Sequence, residues 1–245
     1  MAKRQEKLEQ KQPKLTLSNR LKIQFEDLKE VVPLTINQKI FFDAYDKNER
    51  LIMLHGVAGT GKTYIALYKA LKEALQKPSL KKRIIIVRSA VQAREIGYLP
   101  GDAVEKNEVY QIPYKEICAD LLHKYDAFQR LQEQHMINFV TTSFLRGLTL
   151  DNSIIIVDEC QNLNDAEINT IMTRVGNNSK IIFCGDFRQT DLNKRHDVSG
   201  LKKFIEIVKM IKGFRMVEFD THDIVRSDLV KQYILARLEY EEKHV

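Results

Sequence analysis

Residues 56–63 read Gly56-Val57-Ala58-Gly59-Thr60-Gly61-Lys62-Thr63, directly after the apolar run Leu51-Ile52-Met53-Leu54 and directly before an amphipathic stretch from Lys62 to about Gln76. The spacing is GxxxxGK[ST]. Glycines at these positions let a backbone curl until several N–H groups point inward, and a helix starting at Lys62 aims its positive dipole end at the same spot. Such a concavity suits phosphate oxygens. Lys62 would reach the outer phosphates of a nucleotide as a point charge, and the Thr63 hydroxyl would hold Mg²⁺. A strand upstream and a helix downstream are the context that separates a phosphate loop from a plain glycine-rich turn. ATP and Mg²⁺ are therefore the expected ligands.

Outward from the loop the same beat recurs. Arg83–Val87 is a continuous apolar run of strand length, and strands at Ile137–Thr141, Ser153–Val157 and Lys180–Cys184 follow, with helical stretches expected at 113–133 and 164–175 between them. A last strand is expected at Arg215–Phe219, followed by a helix from about Ser227 to Tyr240. Thr35 can cap a helix through Phe41, Phe42 and Tyr45, and Pro78 ends the helix that follows the loop. Strands that lack polar alternation are buried on both faces, which predicts a parallel sheet covered by helices. The expected fold is a doubly wound α/β domain at 31–245, preceded by a basic, flexible arm at 1–30.

The run Ile154-Ile155-Ile156-Val157-Asp158-Glu159 sets two carboxylates at the C-terminal end of a buried strand, the edge where open parallel sheets bind ligands. Asp158 would hold Mg²⁺ through its water shell, and Glu159 would polarise an attacking water. Acidic residues also cap helices; beside a phosphate loop the metal-and-water reading carries more weight. A third strand ends in Cys184-Gly185-Asp186-Phe187-Arg188-Gln189, where Gln189 could touch the γ-phosphate and report its presence. Gln38 could bond the edge of adenine, although an isolated glutamine reads more simply as a surface helix residue. Arg226, in Asp223-Ile224-Val225-Arg226, is a candidate arginine finger, although a lone arginine is usually a surface charge.

Composition narrows the class. The net charge of +6 is concentrated at residues 1–22, where seven basic residues face two acidic ones, so the body is nearly neutral. Such an arm can assist approach to nucleic acid by counterion release, or serve as a solvated tail. No stretch approaches the roughly 18 apolar residues of a membrane helix, and no apolar signal core opens the chain, so a soluble cytoplasmic protein without a membrane partner is expected. Cys118, Cys160 and Cys184 form no CxxC pair, which argues against zinc or redox chemistry.

Several stretches together resemble the PhoH family of P-loop ATPases, whose RecA-like cores are similar to those of superfamily 1 helicases. They are GVAGTGKT, VRSAVQAREIGYLPGDAVEK, TTSFLRGLTLDNSIIIVDECQN, IMTRVGNNSKIIFCGDFRQTDL, Ser199-Gly200-Leu201 and DIVRSDLV, in family order from about residue 35 to 235. The LPGD block at Leu99–Asp102 and the LRGLTLDN block make the match specific. The resemblance implies an adenine-reading role for Gln38, phosphate and Mg²⁺ roles for Lys62 and Thr63, metal and water roles for Asp158 and Glu159, and a γ-phosphate sensor in Gln189. Arg226 falls on the family's late Val-Arg motif, and Arg174 on its Thr-Arg-Val-Gly position as a second finger candidate acting across a subunit boundary. Ser89, Cys160 and Ser227 depart from the usual proline, alanine and histidine; Ser227 puts the surroundings of Arg226 in question. Some members add a PIN-type nuclease domain, for which this chain has no room.

The expected activity is ATP hydrolysis coupled to single-stranded RNA or DNA, in the bacterial or phage-infected cytoplasm. A single core must either fold Arg226 back in cis or take a finger from a neighbour; the second route gives a head-to-tail ring, and the resemblance, to a family with ring-forming members, implies such a ring, a hexamer by preference. Tyr98, Tyr110 and Tyr114 with Lys106 and Lys115 come nearest to a base-stacking platform, and read equally well as a loop packing its aromatics. A nucleotide-dependent switch with little turnover and a small-molecule kinase are the alternatives.

Overall fold

Thirteen helices and strands follow one another in the computed structural model, which describes residues 22–76, 82–89, 103–186 and 198–244, with the backbone alone at 103–107 and 198–202. They are α1 (Ile36–Asp46), β1 (Leu51–Gly56), α2 (Lys62–Gln76), β2 (Arg83–Arg88), α3 (Ala103–Leu122), α4 (Ala127–Glu133), β3 (Ile137–Thr141), β4 (Ser153–Val157), α5 (Asp165–Met172), β5 (Lys180–Gly185), α6 (Val198–Lys209), β6 (Phe214–Phe219) and α7 (Asp228–His244). The strands form one sheet in the order β3-β2-β4-β5-β1-β6, and every neighbouring pair is parallel.

Strand side chains alternate between faces, and here both faces are apolar. Ile52, Leu54, Ile84, Ile86, Ile154, Ile156 and Ile182 share a core with α1 to α4 through Phe41, Leu67, Leu71, Leu121 and Phe128. Leu51, Met53, Ile85, Val87, Ile155, Val157, Ile181 and Phe183 share the other with α5 and α6 through Ile168, Ile171, Phe204 and Val208. Burial on both sides is why β1, β4 and β5 read as unbroken apolar runs. The expected P-loop α/β fold, a parallel sheet between helices, is the fold observed.

Local differences have local causes. The helix expected at 113–133 is two helices: α3 begins ten residues earlier and passes through Pro113, and the chain turns at His123 (φ +53°) before α4. Helix α6 was not expected, although Phe204 and Val208, four residues apart, are its core contacts. Packing also starts upstream of Val31: Ile23 is buried, Phe25–Asp27 form a single 3₁₀ turn, and the Lys29 N–H donates to the Leu121 carbonyl at 2.9 Å. Among the described residues no helix is long and apolar enough to cross a membrane.

Candidate functional site

Strand β5 lies between β1 and β4, so the loops leaving β1 and β4 are two strand spacings, about 10 Å, apart at the C-terminal edge. Gly56 ends β1 with φ +128°, and a Cβ there would stand 1.9 Å from the Phe219 carbonyl oxygen. The Val57 N–H donates to that same oxygen at 3.0 Å. The loop therefore leaves the sheet pressed against β6, a path only glycine permits. Its curl is fixed by the Thr60 hydroxyl, which donates to the Val57 carbonyl at 3.0 Å. Lys62 Nζ donates to the carbonyls of Gly56 and Val57 at 2.9 and 2.8 Å, folding the ammonium back over the loop. Burial draws Lys62 below the ordinary lysine value, and the negative charges of Asp186, Glu159 and Asp158 oppose it.

Across the cleft, Thr63 Oγ1 donates to Asp158 Oδ1 at 2.7 Å and Tyr114 Oη donates to Asp158 Oδ2 at 2.8 Å. Burial lifts the Asp158 carboxyl above its ordinary value, with these two hydroxyls pulling the other way. The next residue, Glu159, has φ +51° and ψ +43°. For a residue with a Cβ, this left-handed conformation costs on the order of 1–3 kcal/mol and must be enforced by its surroundings. The backbone on either side is tied down, the Asp158 N–H donating to the Val87 carbonyl and the Asn162 N–H to the Glu159 carbonyl, each at 2.9 Å; the Glu159 side chain is held separately. Gln161 Nε2 donates to Glu159 Oε2 at 2.5 Å, and Gln161 Oε1 accepts the Asp186 N–H at 3.2 Å. A hydroxyl and a carboxylate at one point form an all-oxygen donor set, the chemistry of a hard cation. Mg²⁺ is usually held by one or two carboxylates plus phosphates, so Thr63 and Asp158 fit it.

Ala58 to Thr63, Gln38, Asp158, Glu159 and Arg226 all line one cavity of about 830 Å³. Gln38 is not the surface residue its isolation suggested: it is 2% exposed, its amide nitrogen donates to the Thr60 carbonyl at 3.1 Å, and its amide oxygen accepts the Leu34 N–H at 2.8 Å. Arg226 is held beside the loop of its own chain. The Val225 N–H donates to the Gly59 carbonyl at 3.1 Å, and Arg226 Cγ is 3.0 Å from where a Gly59 Cβ would be. Arg174 lies elsewhere. Its carbonyl accepts the Leu150 N–H at 2.8 Å, upstream of Ser153, so all of β4 separates it from Asp158. That is about 16 Å of extended chain. Arg174 cannot act as a finger on its own loop, and its Nε is buried with no hydrogen-bond partner among the described residues.

Gln189, the LPGD block, Tyr98 and the arm through Leu21 lie outside the described residues, as does the side chain of Lys106. Of the suggested stacking platform, Tyr114 is not available to a base. Tyr110 and Tyr114 are both on α3, where Arg88 stands 5.5 Å over the Tyr110 ring and Tyr114 is fully buried toward Asp158. Sequence reasoning missed Gln161 and Gly185, and it read Tyr114 as a stacking candidate where its hydroxyl bonds Asp158. Gly185 is required because a Cβ there would come within 2.6 Å of both Cys160 Sγ and Gln161 Oε1. Gln161 was within reach, two positions after Glu159; nothing in the spacing links Tyr114 to a carboxylate 44 residues away.

Residues 30–237 match the family model described as PhoH-like protein. The PhoH-like protein of Bacillus subtilis (strain 168) is 41% identical over 203 residues, covering 82% of this chain and 62% of its own. That of Mycobacterium leprae (strain TN) is 37% identical over 215 residues, covering 87% and 60%. This chain thus spans about three fifths of the length of these relatives. Among solved structures, the Sulfolobus solfataricus SWI2/SNF2 ATPase core in complex with dsDNA aligns with a TM-score of 0.46 and 14% identity, over 80% of this chain and 46% of the other.

Proposed function

This chain belongs to the PhoH-like family, a family of P-loop proteins, and on that premise we propose that it binds and hydrolyses Mg·ATP in a cycle coupled to single-stranded nucleic acid. The observation that carries the hydrolytic part is the convergence of Lys62, Thr63, Asp158, Glu159 and Arg226 on one cavity. Thr63 and Asp158 would hold a Mg²⁺ ion, which would supply charge neutralisation at the phosphate oxygens.

The chain's own groups do the rest. Lys62 exchanges its two carbonyl partners for the outer phosphate oxygens, compensating charge that grows as the bond to the terminal phosphate breaks. Glu159, fixed by Gln161, orients a water for in-line attack and takes its proton; water oxygen bonds to the terminal phosphorus, and ADP departs with the bridging oxygen. Gln38 offers one amide hydrogen and one oxygen lone pair beyond its present bonds, the complement of an adenine edge. Gln189 acts as the γ-phosphate sensor.

The position of Arg226 beside Gly59 favours a finger supplied in cis. Arg174, at the opposite edge of the sheet, acts only on a neighbour, in the head-to-tail ring, a hexamer by preference, that the resemblance implies. The basic arm at 1–22 supports the nucleic-acid partner, with RNA favoured, and the place of action is the cytoplasm. The deciding experiment is inorganic phosphate release with and without single-stranded RNA or DNA. Release that the nucleic acid stimulates is expected. A Glu159→Gln variant with unchanged turnover would reduce the protein to a nucleotide-dependent switch, and release only in the presence of a small phosphoryl acceptor would make it a kinase.

A further inference from the structure

We infer that Tyr114 is a positioning residue for the Asp158 carboxylate and thereby sets the affinity of the site for its metal, an inference that rests on the nucleotide reading above. Tyr114 is on α3, fully buried, with its ring 5.8 Å from that of Phe139. In that apolar setting a phenylalanine would fill the same space. Burying a phenolic O–H is unfavourable unless it finds an acceptor, and its acceptor is Asp158 Oδ2 at 2.8 Å. The other oxygen, Oδ1, receives the Thr63 hydroxyl at 2.7 Å.

One hydroxyl on each oxygen fixes the plane of the carboxylate and leaves each oxygen a free lone pair. Thr63 comes from the phosphate loop's own helix, so its bond ties Asp158 to the nucleotide site. Tyr114 comes from a different wall, α3, whose Pro113, Glu116 and Ile117 line the same cavity. The two donors therefore hold Asp158 from opposite elements. Outer partners of this kind, bonded to a ligand rather than to the metal, typically change metal affinity by about 10–100-fold when removed.

The test uses a fluorescent ATP analogue, titrated first in EDTA and then with MgCl₂, against the wild type, Tyr114→Phe, Asp158→Asn and the double variant. Expected is wild-type affinity of Tyr114→Phe in EDTA, with about 10–100-fold more Mg²⁺ needed for half-maximal tightening. Because Tyr114 acts through Asp158, its substitution should add nothing in the Asp158→Asn background. A Mg²⁺ midpoint within twofold of wild type, or equal weakening with and without Mg²⁺, would overturn the inference alone. No binding by the wild type under either condition would overturn the nucleotide reading and this inference with it. Should Tyr114→Phe fold poorly, 3-fluorotyrosine at position 114 keeps the shape and strengthens the donor; it should shift the Mg²⁺ midpoint, and an unmoved midpoint counts against the bond.

Discussion

Gln161 bridges two strands of the site: its Nε2 donates to Glu159 Oε2 at 2.5 Å while its Oε1 accepts the Asp186 N–H at 3.2 Å. One side chain thus ties the carboxylate after β4 to the backbone at the end of β5.

Truncating that bridge should separate binding from turnover. Gln161→Ala is expected to lower the phosphate release rate by about tenfold or more, since a base out of position loses part of a 10²–10⁴-fold contribution. Nucleotide affinity should stay near wild type, because Gln161 makes its bonds to Glu159 and Asp186 rather than to the loop. Single-turnover kinetics beside equilibrium binding would check it; equal losses in both would assign Gln161 to binding instead.

Gly185 is expected to be intolerant of alanine for a reason outside the phosphate loop. The added Cβ would meet Cys160 Sγ and Gln161 Oε1 at 2.6 Å. Relieving such overlap in a packed interior costs typically about 1–3 kcal/mol. Thermal unfolding should show Gly185→Ala destabilised, with a turnover defect like that of Gln161→Ala. Adding Cys160→Ala, which removes one clashing atom, should recover part of the stability; no recovery would place the strain elsewhere.

The two arginines should behave oppositely. Arg226→Ala is expected to lower turnover by at least roughly 10²-fold, as loss of a finger does, at any protein concentration. Arg174→Ala should matter only where copies associate, because β4 separates Arg174 from its own loop. Rates measured across a dilution series, with light scattering alongside, distinguish them. A concentration-independent loss in Arg174→Ala would defeat the trans assignment.

Stability should also have an acid limb set far from the site. Glu73 accepts bonds from Lys82 Nζ at 2.6 Å and the Tyr45 hydroxyl at 2.7 Å, and pairs with the buried Lys180 ammonium at 3.4 Å. Burial works to raise the Glu73 carboxyl, but the hydrogen bonds from Lys82 and Tyr45 and the Lys180 charge outweigh it and hold the carboxyl below its ordinary value of 4.5. A depressed carboxyl contributes stability that is fully present above the unfolded value and is lost as pH falls through the folded one. Thermal midpoints should therefore decline below about pH 5, and Glu73→Gln should flatten that decline while lowering the midpoint at neutral pH. An unchanged acid slope in the variant would exclude Glu73 as its source.

The fold class and the phosphate loop can be read from consecutive residues, because both are local. Apolar runs of strand length, the Gly56–Thr63 spacing and the acidic pair after Val157 each carry their physical requirement within a few consecutive residues. Boundaries were legible where a strand is buried on both faces, as in β4, and were not where a helix passes through proline, as in α3 at Pro113. Which residues meet at the site depends on how the elements pack. Tyr114 is 44 residues from Asp158 in the chain and 2.8 Å from it in space; Arg226 comes home to Gly59, and Arg174 goes to the far edge. Such pairings depend on strand order and on which face of α3 is turned inward. A linear pattern does not encode these, because they are set by packing between elements distant in the chain.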